Sequence, residues 1–331
     1  IEMLMGTSWK VHHNSNRLGI RLDGPAPQWA RPNGGEGGSH PSNIHDCEYA
    51  IGTINFTGNM PIIIAHDGPS LGGFVCPITI VRSELWKVGQ VKAGDLIKFQ
   101  LMTVEDAVAT RVKQNAEIKA LQPVIKDTIM NHDSLIGLSN QATAAVLVDI
   151  PPNEEMHHPG MTVRMAGDSY VLVGYGPMKL DIRLRVRIHQ LEKRLLEENP
   201  IGLEETAPGV RSLQIRYDPM KLPLPDLLNM IKSLDINLPR LENYVLPTKV
   251  FKLPMAWNTS GVTTALERYM KSFRPEAPYL PSNISFIGAN NGVSVNDVHE
   301  KVYTASYMCL GLGDVYLGAC CAVPVDPRHR L

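Results

Sequence analysis

The densest concentration of groups that could do chemistry is His66-Asp67-Gly68-Pro69-Ser70-Leu71-Gly72-Gly73-Phe74-Val75-Cys76-Pro77. One carboxylate, one hydroxyl and three glycines lie between the apolar runs 61–65 and 74–81. Glycine allows backbone angles that a Cβ forbids and lets a ligand approach the main chain. A strand, a polar glycine loop and a second strand would set these groups at the mouth of a sheet. A tight connection in which Asp67 bonds its own backbone suits the string equally well. Asn14, Arg17, His40, Asn43, His45 and Asp314 also fall in polar or glycine-bearing loops. Together these amide, guanidinium and carboxylate groups suit a small neutral polar ligand. Singly, each is commoner as a turn or cap residue.

Other chemistries are absent from the string. There is no HExxH, no GxSxG and no paired-cysteine metal motif. His12-His13 and His157-His158 are adjacent pairs, and neighbouring side chains on a strand point to opposite faces, so no metal site is expected. Asn33 to His40 is glycine-rich but lacks the GK[ST] of a phosphate cradle, and Gly311-Leu312-Gly313 lacks the third glycine of a dinucleotide loop. A net charge of −1 gives no reason to expect nucleic acid or an anionic membrane as partner. Five cysteines without CxxC spacing read as reduced thiols of a cytoplasmic protein, and no run approaches the ~20 apolar residues of a membrane helix.

The elements that must position these residues follow from periodicity. Short strands are expected at 9–11, 20–22, 51–56, 61–65, 74–81 and 95–102. The period then changes: Val104, Val108, Val112 and Ala116 predict an amphipathic helix over 104–120, opened by Thr103 with Asp106 at capping-box spacing. Residues 151–160 read as linker. Beyond them strands are expected at 170–173, 210–217, 250–253 and 306–310. Helices are expected over 179–198 (stripe Leu180, Leu184, Ile188, Leu191, Leu195), around 227–234, over 263–272, and over 294–304, where Ser294 and Asp297 repeat the capping-box spacing. Asp181 and Arg211 read as members of structural ion pairs, and Tyr175 and Tyr316 as packed rings. The pattern argues α+β with antiparallel sheets.

Longer strings carry a resemblance. Trp9-Lys10-Val11-His12, Asn14-Ser15 with Arg17, Gly24-Pro25, Trp29-Ala30-Arg31, His40 to Asp46 and Asp67 to Pro77 resemble the carboxyltransferase region of the urea carboxylase family, the carboxylase half of fungal urea amidolyase. Tyr175-Gly176-Pro177, Pro208-Gly209, Arg211 to Gln214, Arg274 to Pro278, Pro281 to Ile284, Gly311 to Gly318 and Asp326 to Arg330 continue it. Only about 103–165 falls outside. Gly174 stands where the resemblance leads one to expect Glu. More distantly, the two units are similar to the families once called allophanate hydrolase subunits 2 and 1, whose relatives serve in 5-oxoprolinase.

The resemblance implies a β-rich α+β fold of two cyclophilin-like β-barrel units, both truncated here. Residues 1–105 would be the C-terminal part of the first unit, 106–166 a helical extension and linker, and 167–331 the N-terminal part of the second. It implies transfer of a carboxyl group carried on biotin to a urea nitrogen, giving allophanate. Biotin would sit on a carrier domain, and ATP, Mg and bicarbonate would be used by a biotin carboxylase domain, both elsewhere on the same polypeptide. The catalytic candidates are Asp67, to orient the urea N–H groups, Asn14, to pair with urea, and Arg17 and His40, to hold the transferring carboxylate. Asn43, Ser70, the backbone of Gly72 and Gly73, and Asp314 and Tyr316 from the second unit would line the substrate site. A 5-oxoprolinase-type subunit fusion and a non-catalytic partner-binding protein stand as alternatives.

Overall fold

The structure, a computed structural model, describes residues 1–30, 40–120, 144–272, 275–276, 278–312 and 320–331. The first unit begins with α1 (Glu2–Gly6), β1 (Trp9–Val11), β2 (Gly19–Asp23), β3 (Asn43–Glu48), β4 (Thr53–Thr57), β5 (Met60–Ile64), β6 (Leu71–Phe74) and β7 (Ile78–Thr79). A 3-10 turn at Arg82–Glu84, α2 (Leu85–Val88) and β8 (Leu96–Ile97) complete it. Six strands form one antiparallel sheet in the order β7-β4-β5-β2-β1-β8, while β3 and β6 pair as a separate ribbon. Its core is Leu4, Trp9, Val11, Ile20, Leu22, Ile54, Phe56 and Ile63. The Trp9 indole N–H donates to the Leu4 carbonyl at 3.1 Å. Gly24 passes so close over that ring that a Cβ would stand 2.4 Å from it.

Helix α3 (Val104–Ala120) leads to the second unit: β9 (Val146–Ile150), β10 (Met161–Met165), β11 (Tyr170–Tyr175), α4 (Ile182–Glu198), β12 (Leu203–Pro208), β13 (Ser212–Tyr217) and α5 (Leu224–Ile236). Its sheet runs β12-β13-β11-β10-β9. One face carries Val163, Val171, Val173, Leu213 and Ile215, which meet Leu184, Ile188, Leu191 and Leu195 of α4 and Leu227 and Ile231 of α5. Then come α6 (Ser260–Ser272), α7 (Asn283–Asn291), α8 (Val295–Thr304) and the ribbon of β14 (Tyr307–Leu312) and β15 (Cys320–Pro324).

The 3.6-residue stripe of α4 is buried as expected from Leu184 to Leu195, with Asp181 capping the helix, and α8 has the full Ser294–Asp297 capping box. Several expectations change. The glycine loop is in part a strand: Gly72 and Gly73 lie in β6, and Gly72 is required because Tyr49 covers it, its hydroxyl 2.7 Å from where a Cβ would be. The run 74–81 is not one strand but the end of β6 and the short β7, and 95–102 yields only β8. Residues 250–253 form no strand. Strands β9 and β10 pair in the second sheet, so 146–165 belongs to that sheet rather than to a connecting extension. Helix α3 buries Ala107 and Arg111, while Val112 is half exposed. A strict four-residue spacing drifts around a 3.6-residue helix, and a charge can occupy the buried face because Asp218 meets Arg111 at 3.5 Å.

The seam between the units is polar. Arg82 N–H donates to Asp168 Oδ1 at 2.8 Å, and its guanidinium pairs with Glu204, which also meets Arg216 at 2.8 Å. Ser212 Oγ donates to Glu48 Oε2 at 2.6 Å, and both residues are buried. The β10–β11 turn presses onto the first unit at Gly167, whose φ of 78° and 3.0 Å clearance to Thr79 leave no room for a side chain.

Candidate functional site

The candidates of the first unit gather in two places. At one end of β5, the turn after β1 meets the turn after β5. Arg17 Nε lies 3.3 Å from Asp67 Oδ2, both exposed, so the pair costs little to open. Asn16 Oδ1 accepts the Leu18 N–H at 2.9 Å, and Ala65 N–H donates to the Leu18 carbonyl at 3.3 Å. Gly68 permits the approach of these turns, since a Cβ there would stand 2.4 Å from the Leu18 carbonyl oxygen. Asn14 is held by backbone: its N–H donates to His12 Nδ1 at 3.1 Å and its carbonyl accepts from the Arg21 guanidinium. Ser70 follows, its carbonyl accepting the Tyr49 N–H at 2.8 Å.

The second place is the opposite end of β5, beside the β4–β5 turn. His40 Nδ1 accepts the Ser42 backbone N–H at 3.1 Å and lies 2.9 Å from Ser42 Oγ. With Nδ1 accepting, the neutral ring carries its proton on Nε2. Buried Ser42 Oγ in turn accepts the Gly58 N–H at 3.2 Å. Trp29 stands edge-on to His40 with centroids 5.6 Å apart, and its indole N–H bonds Asn59 Oδ1 at 2.8 Å. Asn43 begins β3, opposite Phe74.

From Met60, beside this turn, to Ile64, which pairs with Gly19, is four strand residues, roughly 13 Å at ~3.3 Å each. The structure therefore brings Asn14, Arg17 and Asp67 together and His40 and Asn43 together, but not the two sets. The expectation that Arg17 and His40 grip one carboxylate is corrected: a group about 2 Å across cannot reach both ends of a strand. Gly72 and Gly73 lie between, in β6. Asp314 and Tyr316 lie outside the described residues.

Neighbouring groups that the sequence did not single out are Glu48 and Tyr49. The Tyr49 hydroxyl accepts the Phe74 N–H at 2.7 Å, and buried Glu48 reaches Ser212 across the seam. Both sit in a segment with neither period, which left only their residue types as a signal. Gly174 is the register partner of Ser212, and its missing Cβ would stand 3.5 Å from Arg211 Nη1 and 4.0 Å from Arg164 Nη1. Arg211 is not an ion-pair partner of Asp181. Its Nη1 donates to the carbonyls of Tyr175 and Gly176 at 2.8 and 3.0 Å, while Asp181 pairs with Arg183. Tyr175 is packed, but its hydroxyl also donates to Asp235 Oδ1 at 2.7 Å. Cys76 is a half-buried thiol whose pKa desolvation pushes up to about 11. Among the described residues, no three His, Cys, Asp or Glu side chains gather as metal ligands would, and no helix is long and apolar enough to cross a membrane.

Two paired units meeting along a polar seam, with polar turns at the sheet ends, are matched by family models for the carboxyltransferase domain: subdomain A and B over residues 1–101, and subdomain C and D over 161–331. The chain belongs to the carboxyltransferase domain family. It is 43% identical over 330 residues to the urea amidolyase of Lachancea kluyveri, covering 100% of this chain and 18% of that protein. It is 37% identical over 353 residues to the putative urea carboxylase of Emericella nidulans, covering 100% of this chain and 28% of the relative. The crystal structure of Kluyveromyces lactis urea carboxylase superposes with a TM-score of 0.82 at 41% identity, over 99% of this chain and 29% of that one. The chain thus spans between 18% and 29% of the length of these relatives.

Proposed function

We propose that this chain is the carboxyltransferase part of a biotin-dependent urea carboxylase, moving a carboxyl group carried on biotin to a urea nitrogen to give allophanate. The observation that supports this most is likeness to a urea amidolyase and to a urea carboxylase structure over essentially the whole chain, both units included. The two units, the first at 1–105 and the second reaching to 331, are read as cyclophilin-like. Biotin, when present, supplies the activated carboxyl group from a carrier domain of the same cytoplasmic polypeptide. A biotin carboxylase domain would charge it with ATP, Mg and bicarbonate.

The donor set suits a neutral diamide and a carboxylate. A urea nitrogen must lose a proton as it attacks, to a carboxylate or to the biotin that would give up the carboxyl group, and Asp67, opened from Arg17, accepts the urea N–H hydrogen bonds and orients that nitrogen. Asn14 pairs with the urea carbonyl, and the freed Arg17 guanidinium takes a carboxylate in its planar fork. His40, with its proton held at Nε2, and Asn43 act on a different group of the reactants, at the other end of β5. Ser70 and the backbone of Gly72 and Gly73 line the path between, and Asp314 and Tyr316 are proposed to complete the site. The test is the native polypeptide itself. A species much larger than this chain that binds streptavidin and hydrolyses ATP in response to urea supports the proposal. A biotin-free polypeptide of the size of this chain would overturn it.

A further inference from the structure

Among the described residues, the joint where the two units and α3 meet contains buried polar atoms that form no hydrogen bond. Asp168 Oδ1 takes the Arg82 N–H, but Asp168 Oδ2 has no hydrogen-bond partner. The same holds for Ser169 Oγ, Ser83 Oγ and Tyr217 Oη, while Arg111 Nη1 has its 3.5 Å ion pair with Asp218 Oδ1 but no hydrogen bond; all five lie on residues no more than 9% exposed. These five belong to one place. Ser83 follows Arg82, and its carbonyl accepts from Gln114 of α3 at 3.4 Å. Ser169 follows Asp168, and its carbonyl accepts the Tyr217 N–H at 2.9 Å. Arg111 meets Asp218, the neighbour of Tyr217. The Asp168 charge acts on the Tyr217 hydroxyl, and the Arg111 charge acts on Asp168.

Buried polar groups in native proteins are bonded to protein or to ordered water. Five open atoms in one joint therefore point to a ligand, and their chemistry selects it. A cation would neutralise Asp168 but face the Arg111 guanidinium. An anion would face both Asp168 and Asp218, the carboxylate that already pairs with Arg111. The three hydroxyls can both give and accept. Only a small neutral molecule that also does both closes the set. We propose that this joint is an internal water site, through which the 3-10 turn of the first unit, α3, and the β10–β11 turn and β13 end of the second unit are bonded to one another. A buried water makes two to four bonds, so five atoms call for about two waters or more. The units then meet through exchangeable solvent, and a change in their relative setting can be absorbed by re-forming water bonds.

The experiment is a high-resolution crystal structure of the native polypeptide that contains this chain, with thermal melts of Ser83→Ala, Ser169→Ala and Tyr217→Phe. Expected are at least two ordered waters bridging these five atoms and, for each variant, a Tm lower by roughly 2–4 °C because water bonds are lost. Direct pairing of the five atoms with one another, density for an ion, or a joint without water would overturn the proposal. So would variants that melt at or above the wild type, since deleting an unsatisfied hydroxyl from a dry joint relieves a penalty. Ser83→Ala removes a single exchangeable oxygen and keeps the test open should the tyrosine variant fail to fold.

Discussion

At the scale of single residues, the first unit's candidate site depends on one surface pair. Asp67 is held by Arg17 at the surface and is free to exchange that partner for a substrate. In the full-length polypeptide, Asp67→Asn is expected to lower urea-dependent ATP hydrolysis by about a hundredfold or more, the lower range of general-base effects. Turnover near wild type would remove Asp67 from the site. Position 174 gives a second prediction. A carboxylate introduced there arrives beside the guanidiniums of Arg164 and Arg211, and replacing a strand glycine also reduces the entropy lost on folding. Gly174→Glu should stabilise the chain by about 1 kcal/mol, read from the guanidinium chloride midpoint. A lower midpoint would show that the two guanidiniums are already balanced. Asp168 supplies a pH dependence. Burial raises its pKa, while the Arg82 N–H opposes that rise. A raised folded pKa means that the cost of ionisation is absent below the unfolded value near 4, grows above it, and is complete once pH passes the folded value. Asp168→Asn, which keeps the oxygen that caps Arg82, should therefore gain in Tm over the wild type as pH rises from about 4. A constant difference from pH 4 to 8 would contradict it.

At the scale of elements, what the sequence made legible depended on whether a segment's partner lay within its own period. Helix α4 was readable because Leu184, Ile188, Leu191 and Leu195 form one stripe, and α8 because its cap is local. Strand β3, with the sequence NIHDCE, has no apolar alternation: among the described residues it pairs with glycine-bearing β6, and it meets the second unit through Glu48. Strand β12 is similarly polar, its Glu204 answering Arg82 and Arg216. Helix α7 was not expected: its glycine and asparagines are poor helix formers, and its start rests on Ser282 accepting the Ser285 N–H. The site was legible as a set of residue types, but its division between two ends of β5 follows from strand pairing that no local string encodes. The buried network of the second unit gives an element-scale prediction. Asp235 accepts from Tyr175 at 2.7 Å, His158 at 2.8 Å and Arg187 at 2.6 Å, tying α5 to β11, α4 and the turn before β10. Removing the carboxylate strands a buried guanidinium, so Asp235→Ala should cost about 3–5 kcal/mol by guanidinium chloride unfolding, and Tyr175→Phe about 1 kcal/mol. A loss below 1 kcal/mol for Asp235→Ala would mean that Arg187 reaches solvent.

At the scale of the whole molecule, the polar contacts Arg82–Glu204–Arg216, Arg111–Asp218 and Glu48–Ser212 join the two units and α3 among the described residues. The same feature bears on how the chain can be divided. The carboxylate that caps the start of the 3-10 turn at Arg82–Glu84 comes from Asp168, beyond α3 in the chain, and Gly167 seats the β10–β11 turn against Thr79. Each half thus contains the missing end of the other. Made as two separate polypeptides cut after Ala120, the halves should recognise one another and co-elute, with Asp168→Ala weakening their reassociation. The seam would then serve as a ready-made split-protein pair, whose rejoining reports in a single step on the geometry that transfer requires.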